Sequence, residues 1–429
     1  MSERKPRDGS RRAGTVSVLD IGSSKVCCMI ARAKPREGGE ELGRRTHDIE
    51  VLGVGHQRAR GMKNGAIVDL DAAETAIRYV VDAAEAAAGI TVGSLIVNVS
   101  AGDLGSRTLD ATIDLGGAEV ERSDVARVLR AALRDAREAD RVAVHSLPTA
   151  YKLDTTEEVV DPVGMVGKTL SVSCHVATAE TGPLRNLERV VNRAHLEVER
   201  MVATPYASAL ATTVDDEAEL GCVAIDMGAG TTSWAIMSNG RFVNGGALPV
   251  GGQHVTTDLA RGLSTSLEHA ERLKVMEASV LPDPCGGDVV AIMPLAGDTS
   301  AAAATVPRAL VDRIARARVE ETLEMVRDRI RRSGFGRHAD RRVVLTGGAS
   351  QLTGLPELAR RVLAKNVRVG RPIGVRGLAP TQKSPAFATV IGLMVHPQVA
   401  AHERHAAVAP FAFPASGRLA RIGEWFRGF

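Results

Sequence analysis

Large rings are scarce in this chain. Three Tyr, seven Phe and two Trp are spread over 429 residues. A folded body with so few must build its core from Ala, Val, Leu and Ile. Five of the rings (Phe411, Phe413, Trp425, Phe426 and Phe429) crowd into the last nineteen residues. Cysteine is sparse too. Cys27, Cys28, Cys174, Cys222 and Cys285 are odd in number and contain no C-x-x-C spacing. That leaves zinc and redox sites unsupported and points to reduced, buried thiols. No apolar run reaches the ~18 residues of a membrane-spanning helix. The N-terminus has no secretory h-region, so a cytoplasmic chain is expected. The net charge is +3, and residues 1–14 carry all of it: Arg4, Lys5, Arg7, Arg11 and Arg12 against Glu3 and Asp8. The remainder is neutral overall, which excludes a general nucleic-acid footprint. The arm itself reads as disordered.

A length of 429 implies two to four folding units at roughly 100–200 residues each. Residues 15–30 read as two strands joined by a Gly-Ser turn, followed by a short strand at 49–55. An Ala-rich helix is expected over 71–88, opened by Asp71 and closed by Gly89. Residues 101–176 have a different grain, a small α+β unit. Its one helix is expected over 124–138 with Ser123 as cap and Val125, Val128, Leu129 and Leu133 on one face. Helical patterns resume at 183–195, 203–211, 254–263, 266–279 and 308–333. Residues 281–306 read as a loop with strands. A small-residue helix over 386–395 follows, and Pro397, Pro410, Pro414 and Gly417 mark 397–416 as a linker.

Three turns carry the chemistry. In Asp20-Ile-Gly-Ser-Ser-Lys25, Gly22 lets the backbone approach an anion, and the N–H groups of Ser23 and Ser24 can point at it. Asp20, at a strand end, can hold a hydrated Mg²⁺, which needs only one or two carboxylates. Lys25 can neutralise phosphate. The segment from Asp226 through Gly228, Gly230 and Thr231 to Thr232 repeats this design about 200 residues later, again between two strands. Two copies imply two related halves facing one nucleotide. The third turn, Thr346-Gly347-Gly348-Ala349-Ser350, leaves room for an adenosine ring. Each motif alone reads as an ordinary turn, but the three in this order do not.

The order of these turns resembles that of the actin, Hsp70 and sugar-kinase superfamily. Within it the chain is similar to the FtsA family of bacterial cell-division proteins. The matching stretches are 20–30, 61–69, 98–100, 161–164, 225–232, 270–275, 344–355 and the tail 417–429. The resemblance implies an α/β, actin-like (ribonuclease H-like) two-domain fold with an inserted α+β subdomain and a C-terminal amphipathic helix. It implies subdomain 1A over 15–100, 177–220 and 380–396, and subdomain 1C over 101–176. Subdomain 2A would span 221–252 and 341–379, and 2B would span 253–340. It further implies ATP and Mg²⁺ as cofactors, filament formation with copies of itself, and attachment of the FtsZ ring to the cytoplasmic face of the inner membrane at the septum. Later division proteins would be recruited through 101–176. A sugar or acid kinase, or a pilus-assembly scaffold of the same superfamily, are the competing readings, and neither gives the tail a role.

Asp20 and Asp226 are the candidate catalytic residues through Mg²⁺ and water contacts. Glu271 and Lys274 lie three apart on one helix face. Unaided they read as a solvated pair, and the resemblance makes them ribose contacts. Where Hsp70-like relatives place a Glu or Gln that orients water, this chain has Thr204. A hydroxyl replaces that group poorly, so tight ATP binding with slow or negligible hydrolysis is expected.

The tail explains the ring count. Leu419, Ile422, Trp425, Phe426 and Phe429 make one apolar stripe on a helix. Arg418, Arg421 and Arg427 flank it, which is the pattern of a helix lying in a membrane interface beside anionic lipid headgroups. Gly423 and Gly428 each lower helicity by roughly 1 kcal/mol, so the helix is expected to form on a surface. Phe411 and Phe413 lie in the linker without an assigned role. In a liposome-pelleting assay the full chain is expected to sediment with anionic vesicles, and a chain truncated after residue 416 to stay in solution. Equal pelleting would end the membrane-tail reading.

Overall fold

The structure is a computed structural model. It describes residues 14–36, 45–136, 140–281, 288–292, 304–335 and 342–403. The basic arm, Cys285 and the tail, with Arg418, Leu419, Arg421, Ile422, Trp425, Phe426, Arg427 and Phe429, lie outside the described residues.

The chain begins as three antiparallel strands, β1 (Gly14–Ile21), β2 (Lys25–Pro35) and β3 (His47–Arg58). A short hairpin, β4 (Met62–Lys63) and β5 (Ala66–Ile67), leads into α1 (Leu70–Ala88). Its cap is Asp69, not Asp71. The Asp69 carboxylate accepts the N–H groups of Asp71 and Ala72, the reach that an N-cap side chain has and a first-turn residue lacks. Then β6 (Ser94–Val99) pairs in parallel with β1.

The inserted unit comprises β7 (Gly105–Asp114), α2 (Arg122–Ala132), β8 (Arg141–Leu153), β9 (Thr156–Val159) and β10 (Thr169–Glu180). Its strands order as β7-β10-β8-β9. Helix α2 lays Val125, Val128 and Leu129 on Tyr151, Leu153, Leu170 and Val172. The cap position is Glu121, whose N–H is taken by the Asp124 carboxylate, and Ser123 is already helical. The helix ends at Ala132 and continues only as a 3₁₀ turn to Ala136, short of the expected 138. Strand β10 runs on to Glu180, past the boundary expected at 176.

The first domain resumes with α3 (Thr181–Arg193), β11 (Glu197–Ala203) and α4 (Thr204–Thr212), and α5 (Asp215–Leu220) leads out of it. The second domain opens with β12 (Cys222–Met227), β13 (Thr232–Ser238) and β14 (Arg241–Leu248). Helices α6 (Gly252–Gly262) and α7 (Leu267–Met276), the pair β15 (Val289–Ile292) and β16 (Ala304–Pro307), and α8 (Arg308–Arg332) follow. The chain closes with β17 (Arg342–Thr346), α9 (Leu355–Leu363), β18 (Asn366–Val369), β19 (Val375–Arg376) and α10 (Ala388–Glu403).

The two main sheets are built alike. One orders β11-β6-β1-β2-β3-β19 and the other β14-β13-β12-β17-β18. Each holds an antiparallel three-strand meander whose first strand also pairs in parallel with a later one. Both faces of β12 and of the second half of β1 are buried, so these stretches are mostly apolar rather than alternating. Small side chains fill the seams as the ring count implies: Ala203, Ala207, Ala209 and Ala211 are fully buried around α4. Cys27, Cys28, Cys174 and Cys222 are buried free thiols.

Helix α10 overturns the linker boundary at Pro397. Pro397 sits inside the helix, which continues to Glu403. The ring removes one backbone hydrogen bond, but His396, Gln398 and Ala400 are buried on either side of it. Packing of that stretch outweighs the local preference to stop.

A buried histidine bolts the inserted unit to the second domain. His175 of β10 donates from Nδ1 to the Phe242 carbonyl of β14 at 2.9 Å, and its Nε2 meets the Ser106 hydroxyl at 2.7 Å. That hydroxyl also bonds with Gly245. Burial holds His175 down at about 4, against the pull of the Phe242 carbonyl. Unfolding restores a value near 6.5. The unfolded chain therefore takes up the proton first as pH falls. Stability is expected to drop by about 3 kcal/mol from this group between pH 6.5 and 4, and to hold above that window. Urea melts across this range should show the slope in wild type and a flatter one in His175→Gln.

Candidate functional site

The two Asp-Gly turns end up face to face. In the first, the Gly22 N–H donates to the Lys25 carbonyl at 2.9 Å, and in the second, Gly228 N–H donates to Thr231 at the same distance. They touch at Gly230, where an added Cβ would lie 2.4 Å from Ser23 Oγ and 2.9 Å from Asn64 Cα. Only a residue without a side chain allows this approach. Ser23 is buried and accepts the Gly65 N–H at 2.8 Å, which ties the 61–69 segment to the first turn. The Thr231 methyl lies beside Gly65. Ser24 is exposed, and its carbonyl holds the Ala59 N–H. The Thr232 hydroxyl is buried with no hydrogen-bond partner among the described residues.

Asp20 and Asp226 sit at corresponding places, each near the end of its sheet's central strand, and both are buried. Burial pushes Asp20 up to about 6. Lys25 opposes the rise, and Asp226 adds to it. Asp226 is raised too, mainly by burial, although hydrogen bonds from Ser208 and Thr389 and the charge of Lys25 counter it. The Thr389 bond is 3.0 Å long, and Ser208 and Thr389 also bond each other. Two buried carboxylates that resist ionisation favour a cation between or beside them. They do not form a protein cage, since among the described residues no three His, Cys, Asp or Glu side chains cluster as metal ligands.

The third turn closes on the second. Gly347 has φ +85°, and a Cβ there would meet Asp226 Oδ1 at 2.3 Å. Its N–H donates to the Pro385 carbonyl at 3.2 Å, and the buried Ser350 hydroxyl turns back to the Gly347 carbonyl at 2.7 Å. Gly348 lies against Ala386. On the other side, Lys274 reaches the Gly252 carbonyl at 3.1 Å, Thr256 at 2.9 Å and Glu271 at 2.6 Å. Gly252 in turn abuts Ala349. The three turns and the Glu271–Lys274 pair are thus joined by direct contacts in one region, the candidate cleft.

Thr204 is part of the same structure but is already engaged. Its hydroxyl accepts from the Asn98 side-chain amide at 3.2 Å, and the Asn98 Oδ1 accepts the Ile21 N–H at 2.7 Å. Sequence reasoning missed Ser208, Thr389, Thr256 and the segment 384–387. Nothing local marks them: Thr389 lies 163 residues from Asp226.

The chain matches the model for "Cell division protein FtsA" over residues 223–392 and that for "SHS2 domain inserted in FTSA" over 101–178. It is 57% identical over 421 residues to the cell division protein FtsA of Rhizobium meliloti (strain 1021), covering 97% of this chain and 95% of that one. The chain belongs to the FtsA family. The family member of Escherichia coli (strain K12) is 26% identical over 417 residues, covering 95% and 96%. Among solved structures, the PilM–PilN type IV pilus biogenesis complex matches with a TM-score of 0.61 at 16% identity, covering 90% of this chain and 98% of that one. MreB5 of Spiroplasma citri bound to ADP matches with a TM-score of 0.51 at 12% identity, covering 91% and 98%. These two establish an actin-like fold. FtsA membership makes the chain an actin-like cell-division protein, and the inserted α+β unit is the SHS2 domain. It also sets aside the kinase and pilus-scaffold readings.

Gly347→Ala combines a strained φ with a clash against Asp226. It is expected to lower the thermal midpoint by the equivalent of ~2 kcal/mol or more, read by differential scanning calorimetry.

Proposed function

We propose that the cleft binds ATP with Mg²⁺ and that the protein is a nucleotide-dependent membrane tether for the division ring. The observation that carries this reading is the contact of the two Asp-Gly turns at Gly230 and Ser23, with Asp20 and Asp226 buried behind them. The MreB5 structures, bound to ADP and to AMPPNP, support it by analogy of fold.

In this reading the turn residues Gly22, Ser23, Ser24, Gly228, Gly230, Thr231 and Thr232 surround the phosphates, and the bonds from the Gly22 and Gly228 N–H groups to the Lys25 and Thr231 carbonyls hold the two turns in shape. Lys25 supplies positive charge, and Asp20, with Asp226 nearby, holds the hydrated Mg²⁺. The ion supplies charge neutralisation for the phosphate chain. Glu271 and Lys274 contact the ribose, and Gly347, Gly348 and Ser350 bed the adenine. With Thr204 bonded to Asn98, the cleft offers a weak means of orienting water for attack.

Filaments of the protein on the cytoplasmic face of the inner membrane would present many copies of the 417–429 tail. A short stripe that binds weakly alone then holds by avidity. FtsZ would be the cytoplasmic partner, and later division proteins would dock on the SHS2 domain. No helix among the described residues is long and apolar enough to cross a membrane, so the tail carries attachment in this reading.

Two measurements test it. ATP turnover should fall well below the roughly 1 s⁻¹ at the slow end of ordinary enzymes, while ATP binding stays readily measurable. Turnover of many per second would overturn the slow-hydrolysis element. Labelled FtsZ should sediment with anionic liposomes only when the full chain is present. FtsZ left in the supernatant would overturn the tether.

A further inference from the structure

The ammonium of Lys25 is seated on an aromatic face. Its Nζ lies 3.4 Å from the centroid of the Phe387 ring and donates to the Ala386 carbonyl at 2.6 Å. Among the described residues it makes no ion pair with Asp20 or Asp226, although its charge acts on both carboxylates. Phe387 is itself fixed. It is buried, and the edge of its ring pair is His56, with centroids 5.9 Å apart at 85°. The seat comes from the short turn before α10, the segment that also receives the Gly347 N–H through Pro385.

A ring face and a carbonyl oxygen attract an ammonium without consuming a carboxylate. Without the ring, the lowest-energy place for the cation in this cleft is against Asp20 or Asp226, because opposite charges attract strongly where water is excluded. We propose that Phe387 is a positioning residue. It seats Lys25 away from the aspartate pair, so that the lysine stays available to a phosphate chain and both carboxylates stay available to a divalent cation. This rests on the Mg²⁺–nucleotide reading of the cleft. It adds an element to that reading from a part of the chain with no phosphate-turn motif.

Two variants separate the ring from the bulk. Phe387→Leu keeps an apolar side chain and removes the ring face, whereas Phe387→Tyr keeps the face. Binding of AMPPNP is measured by calorimetry in Mg²⁺ and again in EDTA. Phe387→Leu is expected to weaken Mg²⁺–AMPPNP binding by about tenfold, and to affect metal-free AMPPNP less. Phe387→Tyr should restore near-wild-type binding in both. A second readout needs no nucleotide. In protein labelled with ¹³Cε-lysine, the Lys25 signal (assigned with Lys25→Arg) should be shifted upfield by the ring in wild type and Phe387→Tyr, and should lose that shift in Phe387→Leu. An unshifted wild-type Lys25 signal would overturn the seat. So would Phe387→Leu that binds Mg²⁺–AMPPNP like wild type, or that loses as much affinity in EDTA. Wild-type protein that binds AMPPNP in neither buffer would instead overturn the nucleotide reading, and this role for Phe387 with it.

Discussion

The structure depends on keeping two carboxylates, Asp20 and Asp226, out of water and close enough to sense each other. Such a pair is costly unless it is hydrogen-bonded or meets positive charge. Much of the surrounding architecture answers that cost. Ser208 on α4 and Thr389 on α10 donate to Asp226 Oδ2, so a helix from the middle of the chain and one from near its C-terminal end are anchored at the same atom. Gly347 brings the third turn against the same carboxylate. Lys25 supplies a charge that lowers both groups without forming an ion pair to either.

The doubled sheet makes this arrangement possible. Each half ends its central strand in an Asp followed by a glycine turn. Stacking two such halves brings like groups together from opposite sides. The halves then diverge. The first receives the SHS2 insertion between β6 and α3, and the second receives the helical unit of α6, α7 and α8. The insertion does not hang from one domain. His175 and Ser106 join it to β14 of the other, while His145 of β8 accepts the Ala203 N–H beside α4.

Much of the fold was legible in the sequence because its signals are local. Glycine between two apolar runs marks a strand turn whatever surrounds it, and the repeat of Asp-x-Gly announced two halves. The errors were local as well. Asp71 and Ser123 are good capping residues, but the backbone turned two residues earlier, at Asp69 and Glu121. Pro397 has the chemistry of a stop, yet it lies within a buried helix. At the two caps a neighbouring residue made the better local bonds, and at Pro397 packing of the whole element overrode the preference of one residue.

The sequence by itself determined the character of the protein: a small-aliphatic core, paired phosphate-type turns, an inserted α+β unit and a terminal stripe of rings between arginines. These are properties of residue type and spacing, which survive without knowledge of contacts. Only the tertiary structure decided how the turns meet, with Ser23 against Gly230 and Gly347 against Asp226. It also decided that Thr204 is bonded to Asn98, and that Lys25 rests on Phe387 rather than on an aspartate. Lys25 and Phe387 are separated by more than 300 positions. No periodicity links residues that far apart. Their pairing comes from the sheet registers and the return of α10 to the first domain.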